Sequence, residues 1–272
     1  IYTLSLHDAL PILAYVSNAN ISGMFRECIW LKDIVALANW NVSNATDFGY
    51  LFYYCSDLES LHGIENWDVS HVTSFDRLFD QCDSLASISE LAGWNTSSLT
   101  NLAYTFAYCE EIDDISPLAD WDVSHVTTLE NTFGATGIAS LEALANWDVS
   151  KVTNMILTFG GCDYIQSLDG SQNWDVSHVQ KFGATGIYSS SQGTFMCSRL
   201  TDISAIANWD TSSAISFRYM FSGCIWLFDI SPLASWDMSH GELSFMFDDE
   251  NVYYSSLLGK TAYYHNVYMD TY

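Results

Sequence analysis

Basic residues are scarce in this chain. Lys and Arg total 8 of 272 residues against 33 Asp and Glu, for a formal charge of −25. A field of that sign repels phosphate backbones and anionic lipid, which argues against nucleic acid and bare membrane as partners. Two readings of the acidity stay open: it keeps a repetitive chain soluble, or it attracts a basic partner or divalent cations. Long apolar runs are missing too, so the sequence offers no segment able to span a bilayer. The first residues lack a basic region followed by an apolar core, so no secretory signal peptide is visible. There is no C-x-x-C pair for zinc, no H-E-x-x-H, no G-x-S-x-G, no phosphate-binding glycine loop and no calcium loop. The carboxylates recur in similar surroundings, whereas acid–base catalysis needs two in contrasting ones. The sequence therefore reads as non-enzymatic and without a cofactor.

What is present is periodic. Trp40, Trp67, Trp94, Trp121, Trp147, Trp174, Trp209 and Trp236 follow one another at steps of 27, 27, 27, 26, 27, 35 and 27 residues. Cys28, Cys55, Cys82 and Cys109 keep the same 27-residue step. Self-similarity at this period means stacked structural units, none of which can bury its apolar face alone.

With Trp as position 0, position 1 is Asp or Asn in all eight units and position 3 is Ser (Ser43, Ser70, Ser97, Ser124, Ser150, Ser177, Ser212, Ser239). Apolar residues at positions 5, 8 and 12, as in Val72, Phe75 and Phe79, step by three and four, which predicts a helix of about two turns. The Ser before it suits an N-cap, and the preceding Asp or Asn suits an Asx turn. Beyond that helix the apolar residues step by three (Phe79, Cys82, Leu85, Ile88, Leu91, Trp94), which suits a repeatedly bending coil. One very short parallel strand is expected around position 21, at Ile34, Leu61, Ile88, Ile115, Leu141, Leu168, Ile203 and Ile230, with copies about 4.8 Å apart. The fold class is an α/β repeat solenoid of about eight units.

The consensus W-D-V-S-x-V-T-x-x-x-x-x-F-x-x-C-x-x-L-x-x-I-x-x-L-x-x-W resembles the repeat of about 26 residues found in BspA-like leucine-rich-repeat bacterial surface proteins, over roughly residues 14–247. The resemblance implies a leucine-rich-repeat-like solenoid on the outside of a bacterium, with a role in adhesion. The expected partner is a protein or glycan on another cell surface, with no nucleic acid and no direct membrane insertion. No wall-anchor or lipoprotein motif is seen, so signal and anchor are expected to lie elsewhere in a longer protein.

Three stretches break the pattern. Residues 1–12 (IYTLSLHDALPI) bear no relation to the repeat and resemble translated read-through of a library adapter. The unit from Trp174 is eight residues longer than its neighbours, and its Gly/Ser-rich stretch 182–194 reads as a loop. Residues 248–272 are tyrosine-rich and non-repeating, a degenerate cap or a tail, leaving 13–247 as the solenoid.

Side chains of possible chemical interest resolve mostly into structure. Cys55, Cys82, Cys109, Cys162 and Cys224 sit in the core phase, and Thr136 replaces one singly, so small buried groups are expected rather than disulfides or a metal cluster. The eight repeat tryptophans share that phase and are expected in the core, not on a sugar-stacking surface. His71, His125, His178 and His240 fall at position 4 of alternate units. At about 10 Å apart they are too distant to share a metal. The candidate binding residues flank the position-21 column: Asp33 and Val35, Ser60 and His62, Ser87 and Ser89, Asp114 and Ser116, Ser140 and Glu142, Ser167 and Asp169, Asp202 and Ser204, Asp229 and Ser231. They would form a polar, partly acidic stripe. The expected function is adhesion or macromolecular binding by a surface protein. A structural stalk and an acid-rich cation-responsive module are the alternatives.

Overall fold

A computed structural model describes residues 21–184 and 193–247. The stretch 1–12, most of the inserted loop and the tail 248–272 lie outside the described residues. Each 27-residue unit makes one coil, and the coils stack in sequence order. The coils are numbered from the amino terminus: coil 1 covers 21–39, coil 2 starts at Trp40, coil 3 at Trp67, coil 4 at Trp94, coil 5 at Trp121, coil 6 at Trp147, coil 7 at Trp174, coil 8 at Trp209 and coil 9 at Trp236.

The stack is a continuous repeat solenoid. Its backbone ladder runs through position 7, where Asp47, Ser74, Asn101, Thr128, Asn154, Lys181, Ser216 and Glu242 pair in parallel, each with the next. Beyond this rung alternate amides reach forward. The N–H groups of Phe75, Arg77, Phe79 and Gln81 donate to the carbonyls of Asn101, Ala103, Thr105 and Ala107 at 2.8–3.0 Å.

The predicted helix at positions 5–12 does not form, and among the described residues there is no α-helix. The reason lies in the backbone: position 10 is left-handed at Tyr50, Arg77, Tyr104, Asn131, Leu157 and Tyr219, and position 14 at Tyr54, Gln81, Tyr108 and Ala135. An α-helix admits no such residue in its middle. The amides that a helix would use internally bond to the next coil instead. The three-and-four spacing still buries Val72, Phe75 and Phe79, because a chain turning every three residues also returns them to one side. The helical turns that do exist are single 3₁₀ turns at positions 22–24, Val35–Leu37, Ser89–Leu91, Ser116–Leu118, Glu142–Leu144 and Ser204–Ile206, with a longer one at Ser231–Ser235. The strand expected at position 21 shrinks to single parallel pairs one residue earlier, Asp33 with Ser60 and Ser167 with Asp202. Its Ile and Leu column is buried as expected.

In coils 2 and 6 the 3₁₀ turn is replaced by a glycine turn. Gly63 and Gly170 have φ of 113° and 106°. Their amides donate to the Glu65 and Gln172 side chains at 2.6 and 2.7 Å. A Cβ on Gly170 would collide with the Leu141 carbonyl in the coil before.

Side-chain ladders fill the interior. Phe25, Phe52, Phe79, Phe106, Phe133, Phe159, Phe195, Phe221 and Phe247 stack with centroids 5.4–5.9 Å apart. Seven repeat tryptophans, Trp67 to Trp236, are buried, and Trp40 is half-buried against the same core. The insertion in coil 7 leaves and rejoins the coil where Gly183 pairs antiparallel with Gly193. Phe195 then resumes the phenylalanine ladder.

Candidate functional site

The left-handed residues decide what the ladder face displays. Positions 8, 11, 12 and 15 turn inward, while positions 9, 10, 13 and 14 carry the residues that vary most between coils. In coils 2 to 4 those positions hold Tyr50, Tyr53, Tyr54, Asp76, Arg77, Asp80, Tyr104 and Tyr108.

Arg77 is the centre of this group. Its guanidinium lies 3.7 Å from the centroid of the Tyr104 ring and 5.7 Å from that of Tyr50, one coil to either side. Its Nη1 meets Asp80 Oδ2 at 2.7 Å. Tyr104 continues the chain of contacts: its hydroxyl donates to Glu130 Oε1 at 3.1 Å, and Asn154 Nδ2 donates to Glu130 Oε2 at 2.8 Å. On the other side Arg26 lies 5.5 and 5.2 Å from the Tyr50 and Tyr53 ring centroids. The result is a band in which Arg and Tyr alternate from coil 1 to coil 4.

Burial shapes its electrostatics. Asp80 is fully buried and its Oδ1 has no hydrogen-bond partner. Burial lifts its carboxyl to about 6 against the pull of Arg77. Burial also raises Asp76, and burial with the nearby Glu130 carboxylate raises Tyr104 to about 12. At the rim, Tyr54 and Tyr108 are 42% and 45% exposed. The band therefore offers aromatic edges beside carboxylates, with the Tyr54 ring 6.1 Å from that of Tyr53 between centroids.

The stripe expected beside position 21 has a different character. In coils 1 to 8 the position-20 side chain accepts the position-22 amide: Asp33 from Val35, Ser60 from His62, Ser87 from Ser89, Asp114 from Ser116, Ser140 from Glu142, Ser167 from Asp169, Asp202 from Ser204 and Asp229 from Ser231, at 2.8–3.4 Å. The regularity of the stripe thus has a structural cause, the start of each corner turn. Hydrogen bonds from Ser116 and Ser231 hold Asp114 and Asp229 below the usual carboxylate range. His62 turns its Nδ1 to Glu90 Oε1 in the next coil at 3.0 Å.

The position-1 and position-3 pair forms the expected Asx turn. Asp68 Oδ1 accepts both the amide and hydroxyl of Ser70, at 3.1 and 2.6 Å. The Ser is a donor in that turn and caps no helix. The position-4 histidines His71, His125 and His178 are exposed, each with Nδ1 3.1–3.3 Å from the preceding Ser hydroxyl.

The cysteines are buried but polar in their use. The Cys55, Cys82, Cys109, Cys162, Cys197 and Cys224 thiols each donate to the carbonyl of the ladder phenylalanine in the preceding coil. Burial holds the Cys55 and Cys162 thiols up at about 12 and 11, so they stay protonated. Among the described residues no cysteine is in a disulfide, and no group of three or more His, Cys, Asp or Glu side chains could hold a metal ion.

The Arg–Tyr band escaped the sequence reading, which followed what repeats. Its signal was the opposite: non-repeating residues at fixed positions of an otherwise strict unit.

The chain matches the family model DUF285, described as "Mycoplasma protein of unknown function", over residues 19–139, 113–192 and 194–260. No curated protein matches it. Among solved structures it is similar to an internalin (inlF) from Listeria monocytogenes str. 4b F2365, at 18% identity and a TM-score of 0.37, over 75% of this chain and 62% of the internalin. The chain thus spans less than two thirds of that protein, and a likeness at this level says nothing about shared function.

Proposed function

Because the chain belongs to DUF285, a family of Mycoplasma proteins of unknown function, we propose for it the role its ladder face supports: a non-enzymatic repeat protein, displayed on the outside of a bacterium, that binds a protein partner. Among the described residues no helix is long and apolar enough to cross a membrane. Adhesion and BspA-like kinship are the finer form of the same proposal.

One observation carries it, the Arg77 band with Tyr54 and Tyr108 at its rim. Tyrosines fixed on a ladder supply contact area at low entropic cost, since few side-chain torsions remain to be ordered. The carboxylates around them and the chain's charge of −25 favour a partner bearing Lys and Arg, and steer it on approach. A second reading, a stalk, draws on the phenylalanine ladder that continues through every coil from Phe25 to Phe247.

A displayed random-peptide library, panned on the chain, separates the two. The binding reading expects enriched peptides rich in Lys and Arg that lose affinity for the Tyr54→Ser/Tyr108→Ser variant. No enrichment, or peptides that bind the variant equally well, would favour the stalk.

A further inference from the structure

Coils 5, 6 and 7 bring a carboxylate, a carboxamide and an amine to one place on the ladder face. Asn154 is the position-7 residue of coil 6, and Lys181 holds the same position in coil 7. Their backbones pair directly in the parallel ladder. The Met155 amide donates to the Lys181 carbonyl at 2.8 Å, and the Lys181 amide to the Thr153 carbonyl at 3.2 Å. Residues paired in this way put their side chains on the same face, on rungs about 4.8 Å apart. The methylene chain of a lysine spans that gap.

The Asn154 carboxamide is held at both ends. Its Oδ1 accepts the Ile156 amide at 3.1 Å, and its Nδ2 donates to Glu130 Oε2 at 2.8 Å. Glu130 is held in turn by the Tyr104 hydroxyl, which donates to Oε1 at 3.1 Å. Glu130, Asn154 and Lys181 are all half-buried. Among the described residues Lys181 makes no ion pair, although the chain carries a charge of −25. Asn101 is the comparison within the chain. Its Oδ1 accepts the Ala103 amide at 2.8 Å in the same way, but its partner on the next rung is Thr128, which has no amine. An asparagine turn at position 7 therefore needs no lysine beside it.

We infer that Glu130, Asn154 and Lys181 form an intramolecular isopeptide site, at which the folded chain joins coil 6 covalently to coil 7. The unprotonated Lys181 Nζ adds to Asn154 Cγ. The Ile156 N–H, already on Oδ1, stabilises the negative charge that develops there. Glu130 takes the proton shed by the attacking nitrogen and passes it to Nδ2. The Cγ–Nδ2 bond breaks, ammonia leaves, and an amide joins Nζ to Cγ. Amine and carboxamide become substituted amide and ammonia, with nothing oxidised or reduced. Adjacent rungs supply the proximity that lets so slow an exchange proceed within one molecule. The place has a structural use. Lys181 is the last ladder residue before the insertion in coil 7, which leaves and rejoins the stack at Gly183 and Gly193. A bond there ties the array at the coil that the insertion interrupts, and it restricts the unfolded chain as a disulfide does. The inference does not depend on the Arg77 band having a partner.

Intact-mass spectrometry of the purified chain tests the inference, with Lys181→Met, Lys181→Arg and Glu130→Gln beside it. The unaltered chain should weigh one ammonia less than its sequence requires. Its digest should contain a branched peptide joining Lys181 to Asn154. Both Lys181 variants should have the full sequence mass, and Glu130→Gln should lose the cross-link. The full mass in the unaltered chain overturns the inference, whatever the variants do. Loss of ammonia that persists in Lys181→Met overturns it too, since it would come from an asparagine closing on its own backbone. So does a complete cross-link in Glu130→Gln, because the carboxylate would then have no part.

Discussion

The indole Nε1–H of Trp121 donates to the carbonyl of Leu91, thirty residues earlier, at 3.1 Å. The same bond joins Trp67 to Leu37, Trp94 to Ile64, Trp147 to Leu118, Trp174 to Leu144, Trp209 to Ser171 and Trp236 to Ile206, at 2.9–3.2 Å. Each tryptophan fills the core and finds a buried acceptor for its indole N–H in the coil before, a carbonyl that also accepts a backbone amide, as Leu91 does from Trp94. A buried indole N–H without an acceptor would be costly, and every coil supplies one at the same place.

Trp121→Ala should destabilise the chain by about 3–5 kcal/mol in urea unfolding, as large core truncations do. Trp121→Phe keeps much of the stacking on Trp94 and removes one of two donors on the Leu91 carbonyl, which retains the Trp94 amide, so the lost bond should cost only about 0.5–1.5 kcal/mol. An unchanged unfolding midpoint in Trp121→Ala would place the ring outside the core.

The thiol of Cys109 lies 3.1 Å from the Phe79 carbonyl, and in coil 5 the hydroxyl of Thr136 lies 2.8 Å from that of Phe133. Position 15 thus holds a small donor, although Thr136 bonds within its own coil and Cys109 reaches the coil before. Cys109→Thr should be the milder change. Cys109→Val, closer to Thr in shape but with no donor, should cost about 0.5–1.5 kcal/mol more, since the Phe79 carbonyl keeps the Cys82 amide. The reverse order in thermal melts would return the cysteines to a purely apolar role.

Asp80 carries a pH dependence whose sign follows from its raised carboxyl. In the folded chain it binds its proton up to about 6, against 3.8 for the ordinary group. Its contribution is therefore fully present below about 3.8 and is lost as pH rises through about 6. Relative to Asp80→Asn, the unaltered chain should be more stable at pH 5 than at pH 7. The Asx-turn aspartates Asp68, Asp122, Asp175 and Asp210 are lowered by their Ser partners, so their contribution is fully present above about 3.8 and is lost only as pH falls below it, outside that window. A difference in melting temperature that stays constant from pH 5 to 7 would contradict the assignment.

Gly170→Ala should be strongly destabilising, because the added methyl would collide with the Leu141 carbonyl and the backbone has a positive φ that side chains rarely adopt. Gly93→Ala, with nothing within 4 Å, serves as the control. Equal melting temperatures for the two variants would mean that the coil-6 corner is not the glycine turn described.

The sequence carried the stack, its inward phases and the Asx turn, because each rests on residues that recur at fixed steps. Val72, Phe75 and Phe79 misled on local structure. Their spacing is that of a helix face, and a coil turning every three residues buries them equally well. Nothing in Tyr50, Arg77 or Tyr104 announces a left-handed backbone, since non-glycine residues rarely take it. The ladder that holds them there is made by coils 27 residues away. The Asp114 and Asp229 columns anchor turns as well as lining the expected stripe, and sequence alone shows only the recurrence, because both roles need a polar side chain once per unit. Gly63 and Gly170, which swap one corner turn for another, were hidden among ordinary variation.

The most direct test of the account is hydrogen exchange at the tryptophan indoles, followed by ¹⁵N-edited NMR. The indoles of Trp67, Trp94, Trp121, Trp147, Trp174, Trp209 and Trp236, bonded across coils, should exchange slowly. Those of Trp30 and Trp226, which lie exposed outside the core, should exchange at nearly the free rate. Fast exchange at the seven would contradict the inter-coil ladder, and protection at Trp30 and Trp226 would contradict their exposed corners.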